Sequence, residues 1–194
     1  DILVEQTVTF EKEIKVKVND LSKVHKLLKK HGAEFKGKSF QRTVRFDTPN
    51  LDYEKRGIFL RVRSGHGNTV TMKKKVKSVG DVFERIEIET EVKDIEKLRK
   101  IFNELGLTKE FIMEKNRANW LLNNTAISID ELPFGLFIEI EGEEPHISDT
   151  AKLLDLNLDG KITVTYWDIF EDYKKAKGIV AESIIFPSDH KFLF

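Results

Sequence analysis

Charged side chains stand at every second position in several stretches of this chain of 194 residues. Neighbouring side chains on a strand point to opposite faces, so Glu11, Glu13 and Lys15 would share one face of a strand over residues 10–18. A single charged strand face is ordinary solvated surface. Because the pattern recurs along the chain, we expect strands curled so that their charged sides meet in one interior. The recurrences are residues 60–63, Thr69–Lys75, Arg85–Glu91, the pair Lys115 and Arg117, and residues 137–141.

The charged residues fall into two chemical groups, which suit phosphate and a divalent metal ion. Isolated charges cost several kcal/mol each on burial, so such an interior must stay hydrated or hold a ligand. Guanidinium and ammonium groups attract phosphate, and a hard divalent cation bridges carboxylates to phosphate oxygens. The cationic candidates are Arg61, Arg63, Lys73, Lys115 and Arg117. The acidic candidates are Glu11, Glu13, Glu139, Glu141 and Asp130.

The predicted ligand is therefore a polyphosphate chain, most simply a small-molecule triphosphate held by cations on one side and by metal on the other. An all-oxygen ligand set favours Mg²⁺ or Mn²⁺. The sequence contains no cysteine, and its five histidines show no ligand spacing, so a zinc site is not expected. No phosphate-binding glycine loop or kinase motif is present, so side chains rather than backbone amides would hold the phosphates.

The overall charge balance argues against two other kinds of partner. Lys and Arg number 33 and so do Asp and Glu, which leaves a formal net charge of +0 and no general attraction to nucleic acid or to a membrane surface. No apolar run approaches the roughly 20 residues that a membrane helix needs, and no signal peptide is visible. The sequence thus predicts a cytoplasmic protein that binds neither nucleic acid nor membranes.

Two stretches of the chain resemble each other at a fixed separation. Asp20, an apolar helical stretch and Gly32 correspond to Asp94, a second such stretch and Gly106, each 74 residues later. The first helix is predicted to begin after a cap at Asn19 or Asp20 and the second after Asp94, and each is predicted to end at its glycine. A repeated strand-helix-strand unit accounts for this correspondence.

A second match and the C-terminal part complete the predicted organisation. Residues 57–63 resemble Gly135–Glu141 at a separation of 78 residues. A short helix capped by Ser148 and Asp149, and a longer helix over residues 166–178, would cover the outer wall of the sheet. We predict one α+β domain over residues 1–194, with halves at about 1–84 and 85–194 and with the helices outside.

The ordered series of motifs resembles the CYTH superfamily, also called the triphosphate tunnel metalloenzymes. Residues 11–15 read E-x-E-x-K near the N-terminus, and the resemblance extends to about Trp167. That first motif alone is common, but the whole series in order is specific. The further motifs are Phe46 to Pro49, Gly57 with Arg61 and Arg63, Lys73, Arg85 with Glu87 and Glu89, Lys115 with Arg117, Asp130 to Pro133, and Gly135–Glu141.

The resemblance implies an eight-stranded antiparallel β-barrel, the triphosphate tunnel, which binds triphosphates together with Mg²⁺ or Mn²⁺. The residues implied on the metal side are Glu11, Glu13, Asp130, Glu139 and Glu141. The residues implied on the phosphate side are Lys15, Arg61, Arg63, Lys73, Lys115 and Arg117, with Arg85 and Glu87 also lining the substrate site. Glu11, Glu13 and Lys15 of the first motif are the catalytic candidates.

The superfamily includes inorganic triphosphatases, thiamine triphosphatases and class IV adenylate cyclases, so the fold alone does not fix the reaction. We expect a divalent-metal-dependent phosphohydrolase acting on inorganic, nucleoside or thiamine triphosphate, because no base-reading pocket is recognisable. A class IV adenylate cyclase, which converts ATP to cyclic AMP and pyrophosphate, is the close alternative. A non-catalytic polyphosphate or nucleotide binding module and an α+β protein with solvated sheet faces are the others. Some members dimerise, so both a monomer and a homodimer stay open.

Overall fold

Eight strands and five α-helices follow one another in the part of the chain that the computed structural model describes, which is residues 13–65, 67–75, 85–162 and 164–194, without the side chains of Lys75 and Arg85. The strands are β1 Glu13–Val18, β2 Glu34–Asp47, β3 Ile58–Ser64, β4 Thr69–Lys75, β5 Arg85–Glu91, β6 Lys109–Leu122, β7 Thr125–Leu132 and β8 Gly135–Glu141. The helices are α1 Ser22–Lys30, α2 Asp52–Lys55, α3 Ile95–Glu104, α4 Glu144–Leu153 and α5 Tyr166–Lys177, with a 3-10 turn at Leu158–Gly160.

The strands form one sheet in the order β1-β8-β7-β6-β2-β3-β4-β5. The pairs β1–β8, β7–β8, β6–β7, β2–β3, β3–β4 and β4–β5 are antiparallel. The order is symmetric about its middle: in each half of the chain a strand and a helix are followed by a three-stranded meander. The α+β class and the eight-stranded antiparallel sheet are confirmed.

The ends of α1 and α3 repeat each other as the sequence predicts. The amide of Ala33 donates to the carbonyl of Leu28, and the amide of Leu107 donates to the carbonyl of Phe102, at 2.9 Å in both cases. These contacts require a residue with positive φ just after the helix, and the glycines at 32 and 106 have φ of 71° and 84°. Both predicted helix ends are therefore confirmed.

The second sequence match joins strands that do not hold equivalent places in the sheet. Residues 57–63 lead into β3, which lies between β2 and β4, whereas β8 lies between β1 and β7. By strand order the counterpart of β3 is β7, and the counterpart of β8 is β4. Alternation of charged and apolar residues with a period of two is common to half-buried strands, so it does not identify which strand is which.

The described residues form two compact units that are interleaved along the chain. The first unit comprises the described residues of 41–113, and the second unit comprises those of 13–40 together with 114–194. The strands β2 and β6 are each long enough, at 14 residues, to contribute to both units. The compact units thus do not coincide with the sequence halves.

The first unit has a small apolar core on one face of its strands. Val44 and Phe46 from β2 and Val62 from β3 are buried there against the apolar side of α3. The ring of Phe46 meets the ring of Phe102 from α3 edge to face, with the centroids 5.1 Å apart. This packing assigns the other face of the same strands to their charged side chains.

The second unit has a larger core, also on one face of its strands. Isoleucines of β7 and β8, such as Ile129, Ile138 and Ile140, have essentially no solvent exposure. They pack against the apolar sides of α1 and α4, including the predicted stripe residue Leu28. The helices α1 and α4 therefore cover the apolar face of these strands. The charged side chains lie on the opposite face.

Helix α4 begins earlier than the sequence predicts. Ser148 and Asp149 were expected to cap it, but both lie inside the helix, which begins at Glu144. Pro145 stands in the first turn, where its fixed φ favours a helix start and its missing amide hydrogen costs nothing. No helix within the described ranges is both long and apolar enough to cross a membrane.

The C-terminal residues pack on the second unit through a buried carboxylate. Glu131, which is 3% exposed, accepts hydrogen bonds from the amide of Leu193 at 2.9 Å and contacts Nε2 of His190 at 2.8 Å. Further along, the amide of Glu114 donates to the carbonyl of Ile184 at 2.7 Å. These contacts fix the chain end on the strands β6 and β7.

Candidate functional site

Strand register places most of the predicted site residues of the second unit on one face. Lys15 of β1 lies opposite Glu139 of β8, and Glu13 lies opposite Glu141. Arg117 of β6 lies opposite Asp130 of β7. Because side chains alternate along each strand, these residues point away from the apolar core. We call this group, with Lys115, the second charged face.

Asp130 is the centre of the second charged face and has no solvent exposure. Its Oδ1 accepts from Nε of Arg117 at 2.6 Å, and its Oδ2 accepts from Nη2 of the same guanidinium. Oδ2 also accepts from Nζ of Lys115 at 3.1 Å. Burial opposes ionisation of this carboxyl, but the charges of Arg117 and Lys115 outweigh burial and hold the pKa of Asp130 well below its usual value.

Glu139 extends the same network towards the first motif. It accepts from Nη2 of Arg117, and its Oε1 lies 3.5 Å from Nζ of Lys15. The ammonium of Lys15 also donates to Glu13. Burial opposes the charge on Glu139, and the guanidinium of Arg117 outweighs it, so the pKa of Glu139 is lowered. Anions and cations thus alternate from Glu13 to Asp130, and a buried network of this kind keeps each charge satisfied.

Tyr166, the first residue of α5, belongs to the second charged face, which was not predicted. Its hydroxyl donates to Oδ2 of Asp130 at 2.9 Å. Its ring centroid lies 5.6 Å from Nζ of Lys15 and 5.4 Å from Nζ of Lys115, within cation–π range. Burial and the charge of Asp130 raise the pKa of Tyr166 well above its usual value, so the hydroxyl keeps the proton that it donates.

The prediction that α5 only covers the outer wall is therefore wrong for its first residue. The helix itself is confirmed over Tyr166–Lys177. Its start is fixed by a capping box, in which Thr165 accepts from the amide of Asp168 while the Asp168 side chain accepts from the amide of Thr165. The helix was predicted to begin at residue 166, and the T-x-x-D pattern supports that start, but neither signal indicates that the Tyr166 hydroxyl contacts Asp130.

The first unit has a charged face of its own. Arg45 of β2 lies opposite Arg61 of β3, and Arg61 lies opposite Thr71 of β4. Lys73 of β4 lies opposite Glu87 of β5. The first charged face consists of Arg45, Arg61, Arg63, Thr71, Lys73, Glu87 and Glu89, all on the side away from the apolar core.

Hydrogen bonds order the side chains of the first charged face. Nζ of Lys73 lies 2.6 Å from Oε2 of Glu87. Nε of Arg61 donates to the hydroxyl of Thr71 at 3.3 Å, and that hydroxyl donates to Glu89 at 2.6 Å. Thr71 is fully buried, and both contacts are part-buried. The predicted cations Arg61 and Lys73 are thus held by the neighbouring strands.

Arg45 is a cation on the first charged face that sequence reasoning missed. Its Nη2 donates to Glu54 at 2.6 Å, and its guanidinium lies 4.3 Å from the ring centroid of Phe111. The stretch 43–46 alternates polar and apolar residues just as residues 60–63 do. That alternation was the signal that could have identified Arg45.

The predicted site residues therefore divide between two faces, one in each unit. Glu11 and the side chain of Arg85 lie outside the described residues. The second charged face holds Glu13, Lys15, Lys115, Arg117, Asp130, Glu139 and Glu141. The first charged face holds Arg61, Arg63, Lys73 and Glu87.

The oxygen ligands of the second charged face are suited to a hard cation. Glu13 and Glu141 lie directly opposite each other on neighbouring strands, an arrangement that is unfavourable for like charges unless a cation offsets them, as Lys15 does at Glu13. Carboxylate oxygens without cysteine or histidine favour Mg²⁺ or Mn²⁺. Within the described ranges, no three such side chains already converge as a metal cluster, and the carboxylates of Asp130 and Glu139 contact cations.

Comparison with known proteins assigns the family. Residues 9–162 match the family model of the CYTH domain. The chain belongs to the CYTH family. It is 35% identical over 146 residues to MJ0240 of Methanocaldococcus jannaschii, which is provisionally named an adenylate cyclase; the match covers 75% of this chain and 83% of that protein.

Solved structures of similar proteins support the same fold. The PH1012 protein of Pyrococcus horikoshii OT3 superposes with a TM-score of 0.66 at 27% identity, covering 80% of this chain and 96% of that one. HpAC1 from Hippeastrum, described as a provisional adenylyl cyclase with a dominant triphosphatase activity, gives a TM-score of 0.55 at 17% identity and covers 84% of this chain and 96% of that one. At that identity the second similarity concerns the fold alone.

The CYTH match contains all eight strands and ends at Ile162. Backbone hydrogen bonds join Ile162 to Lys15 in both directions, at 3.0 and 2.8 Å. The last residue of the matched region therefore pairs with Lys15 of the first motif. Tyr166 follows four residues later and contacts the second charged face.

Proposed function

We propose that this chain is a divalent-metal-dependent phosphohydrolase that acts on a small triphosphate. The observation that carries the proposal is the pairing of Arg45 with Arg61 across β2 and β3, next to Arg63 and Lys73. Glu54 holds Arg45 and Thr71 holds Arg61, and guanidinium groups ordered in this way on one sheet face suit a bound anion. Guanidinium groups match the oxygens of phosphate in pairs, which makes a phosphate chain the anion of choice.

The second charged face supplies a further set of phosphate ligands under the proposal. Lys15, Lys115 and Arg117 are each held by a carboxylate; the two lysines are buried and Arg117 is half-buried. Preordered cations bind a charged ligand without losing further side-chain freedom. Their role would be to orient the triphosphate and to stabilise the charge that develops as a phosphoanhydride bond breaks.

Glu13 and Glu141, together with Glu139 and the predicted Glu11, would hold Mg²⁺ or Mn²⁺. When bound, such an ion offsets the negative charge of the phosphate oxygens and orients the reacting groups. The carboxylates of Glu13 and Glu139 already contact Lys15, so this lysine would keep them in place on the strand face. Asp130 would serve by holding Arg117 and Lys115.

A class IV adenylate cyclase is the second candidate function. It is favoured by the 35% identity to MJ0240, which carries a provisional adenylate cyclase name. In that reaction the ribose 3′-hydroxyl of ATP attacks the α-phosphorus, so the phosphate ligands would be the same and the products would differ. The residues on the two charged faces serve either reaction, and product identity separates them.

The deciding experiment is a substrate panel with product identification. Inorganic triphosphate, ATP and thiamine triphosphate are each incubated with the protein and with Mg²⁺ or Mn²⁺, and the products are followed by phosphorus NMR. Release of orthophosphate that stops on addition of EDTA supports the phosphohydrolase. Cyclic AMP with pyrophosphate supports the cyclase instead, and binding of triphosphate without turnover supports a binding module.

A further inference from the structure

Tyr166 is the one residue of the second charged face that lies beyond the region matched to the CYTH family. The match ends at Ile162, and Tyr166 begins α5. It is 6% exposed, and its hydroxyl donates to Asp130 at 2.9 Å. The first residue of α5 is thus buried beside charged side chains, where its hydroxyl needs a hydrogen-bond partner.

The hydroxyl of Tyr166 completes the set of donors around Asp130. Arg117 donates to both carboxylate oxygens, and Lys115 donates to Oδ2 at 3.1 Å. Tyr166 donates to Oδ2 from a different element, the helix α5. A carboxylate fixed from three directions cannot rotate, and therefore it holds Arg117 and Lys115 in one orientation.

The rest of α5 makes this contact rigid. Phe170 and Tyr173 pack on Phe134, with ring centroids 5.4 and 5.8 Å away. The ring of Tyr166 packs edge to face on Phe137 of β8 at 5.2 Å. Helix α5 is therefore anchored beside the strands that carry Asp130 and Glu139, and the position of the hydroxyl follows from that packing.

We propose that Tyr166 is a positioning residue, which fixes Asp130 and thereby orients Arg117 and Lys115 for the substrate phosphates. The link to the substrate rests on the proposed function, whereas the link to Arg117 does not. The residue contributes through its hydroxyl rather than through its bulk, so removal of one oxygen atom is enough to test it.

The test compares Tyr166→Phe with Tyr173→Phe, the same substitution on the same helix. Both variants keep the aromatic packing, but only the first removes a donor to Asp130. We expect Tyr166→Phe to raise the KM for inorganic triphosphate by about three- to tenfold, the range for the net effect of one ordinary hydrogen bond, because the hydroxyl acts on the substrate only through Asp130. We expect kcat to change by less than about twofold. Tyr173→Phe should leave both constants unchanged.

A second measurement does not depend on turnover. The Nε–H of Arg117, which donates to Asp130 at 2.6 Å, gives a side-chain NMR signal that is assigned by its loss in Arg117→Lys. We expect this signal to shift and to exchange faster with solvent in Tyr166→Phe, but not in Tyr173→Phe.

The outcomes separate the two proposals. An Arg117 signal that is identical in the wild type and in Tyr166→Phe overturns the positioning role. A shifted signal with an unchanged KM overturns its link to the substrate. If the wild-type protein neither binds nor hydrolyses any triphosphate, the proposed function fails, and the Arg117 signal still decides whether Tyr166 orients the guanidinium.

Discussion

Arg117 contacts Asp130 at two points: its Nε donates to Oδ1 at 2.6 Å, and its Nη2 donates to Oδ2 of the same carboxylate. The two residues lie directly opposite each other on β6 and β7. Strand register therefore sets the distance between the two side chains. The planar guanidinium uses two of its donors, one for each carboxylate oxygen. This pair holds Arg117 in one orientation, and Lys115 and Tyr166 donate to the same carboxylate.

Replacement of this guanidinium tests its role in binding. Arg117→Lys keeps the charge but loses the two-point contact, so we expect the free energy of unfolding to fall by about 2 kcal/mol. We also expect the KM for triphosphate to rise about tenfold, because a lysine cannot contact both Asp130 and a phosphate oxygen in the same way. Urea unfolding and steady-state kinetics measure the two effects.

Arg99→Lys is the matched control for that substitution. Arg99 makes a similar contact to Glu110, with 2.7 Å between Nη2 and Oε2, but it lies on α3, which packs on the apolar face of the first unit. We expect a loss of stability without a change in KM. An equal rise of KM in both variants would show that Arg117 acts through stability alone.

A buried threonine tests whether the first charged face is ordered for binding. Thr71→Val preserves shape but removes the hydroxyl that accepts from Arg61 and donates to Glu89. We expect the KM for triphosphate to rise about three- to tenfold, because Arg61 loses a fixed partner, with little change in kcat.

Thr150→Val provides the comparison for Thr71→Val. Its hydroxyl donates to Thr125 at 3.1 Å in the interior between α4 and β7. The loss of stability should be similar, at about 1 kcal/mol, without an effect on KM. If Thr71→Val binds triphosphate as tightly as the wild type does, the hydrogen bond to Arg61 is not needed for substrate binding.

The sequence was sufficient to predict the strands, the sheet class and most charged-face residues, because each depends on a local pattern. Alternation over residues 13–18 places Lys15 and Glu13 on one side whatever the strand pairs with. The equal spacing of Asp20 with Gly32 and of Asp94 with Gly106 reflects two helices with equivalent ends at Lys30 and Glu104, although Asp94 caps α3 whereas α1 begins at Ser22 with Leu21 as its N-cap residue. These features follow from backbone geometry within a few residues.

Features that depend on distant segments were not predictable in this way. Tyr166 reaches Asp130 across 36 residues of sequence, and its apolar neighbours suggest an ordinary packing role. The match of residues 57–63 with β8 failed because a period of two carries no information on strand order. The contact of Arg45 with Phe111 likewise depends on how β6 follows α3.

Acid should destabilise the protein through the buried carboxylates. The pKa values of Asp130 and Glu139 are lowered in the folded state, so between the folded and unfolded pKa values the unfolded chain binds more protons. The stability they contribute is fully present above the unfolded value of about 4 and is lost as pH falls towards the folded values. With EDTA present, we expect the free energy of unfolding to drop by about 2 kcal/mol from pH 5 to pH 3.

Glu139→Gln distinguishes this cause from general acid unfolding. The variant keeps the pair of Arg117 with Asp130 but removes one of the two titrating groups, so the decrease with pH should be smaller. Glu34→Gln removes a carboxylate with 64% side-chain exposure and should leave the decrease as it is in the wild type. A decrease of the same size in all three proteins would assign it to other groups.

The opposed carboxylates Glu13 and Glu141 predict how the protein responds to metal removal. In EDTA we expect Glu141→Gln to melt at the same or a higher temperature than the wild type, because it relieves repulsion of about 0.2–1 kcal/mol. On addition of Mn²⁺ the wild type should gain stability as the ion binds the folded state, and the variant should gain less. The apparent affinity for Mn²⁺ in turnover should also be lower in Glu141→Gln than in the wild type.

Glu34→Gln, which changes an exposed carboxylate of β2, is the control and should respond to Mn²⁺ as the wild type does. If Glu141→Gln gains as much stability from Mn²⁺ as the wild type does, Glu141 does not bind the metal. Lys15 and its neighbours would then offset the repulsion between Glu13 and Glu141.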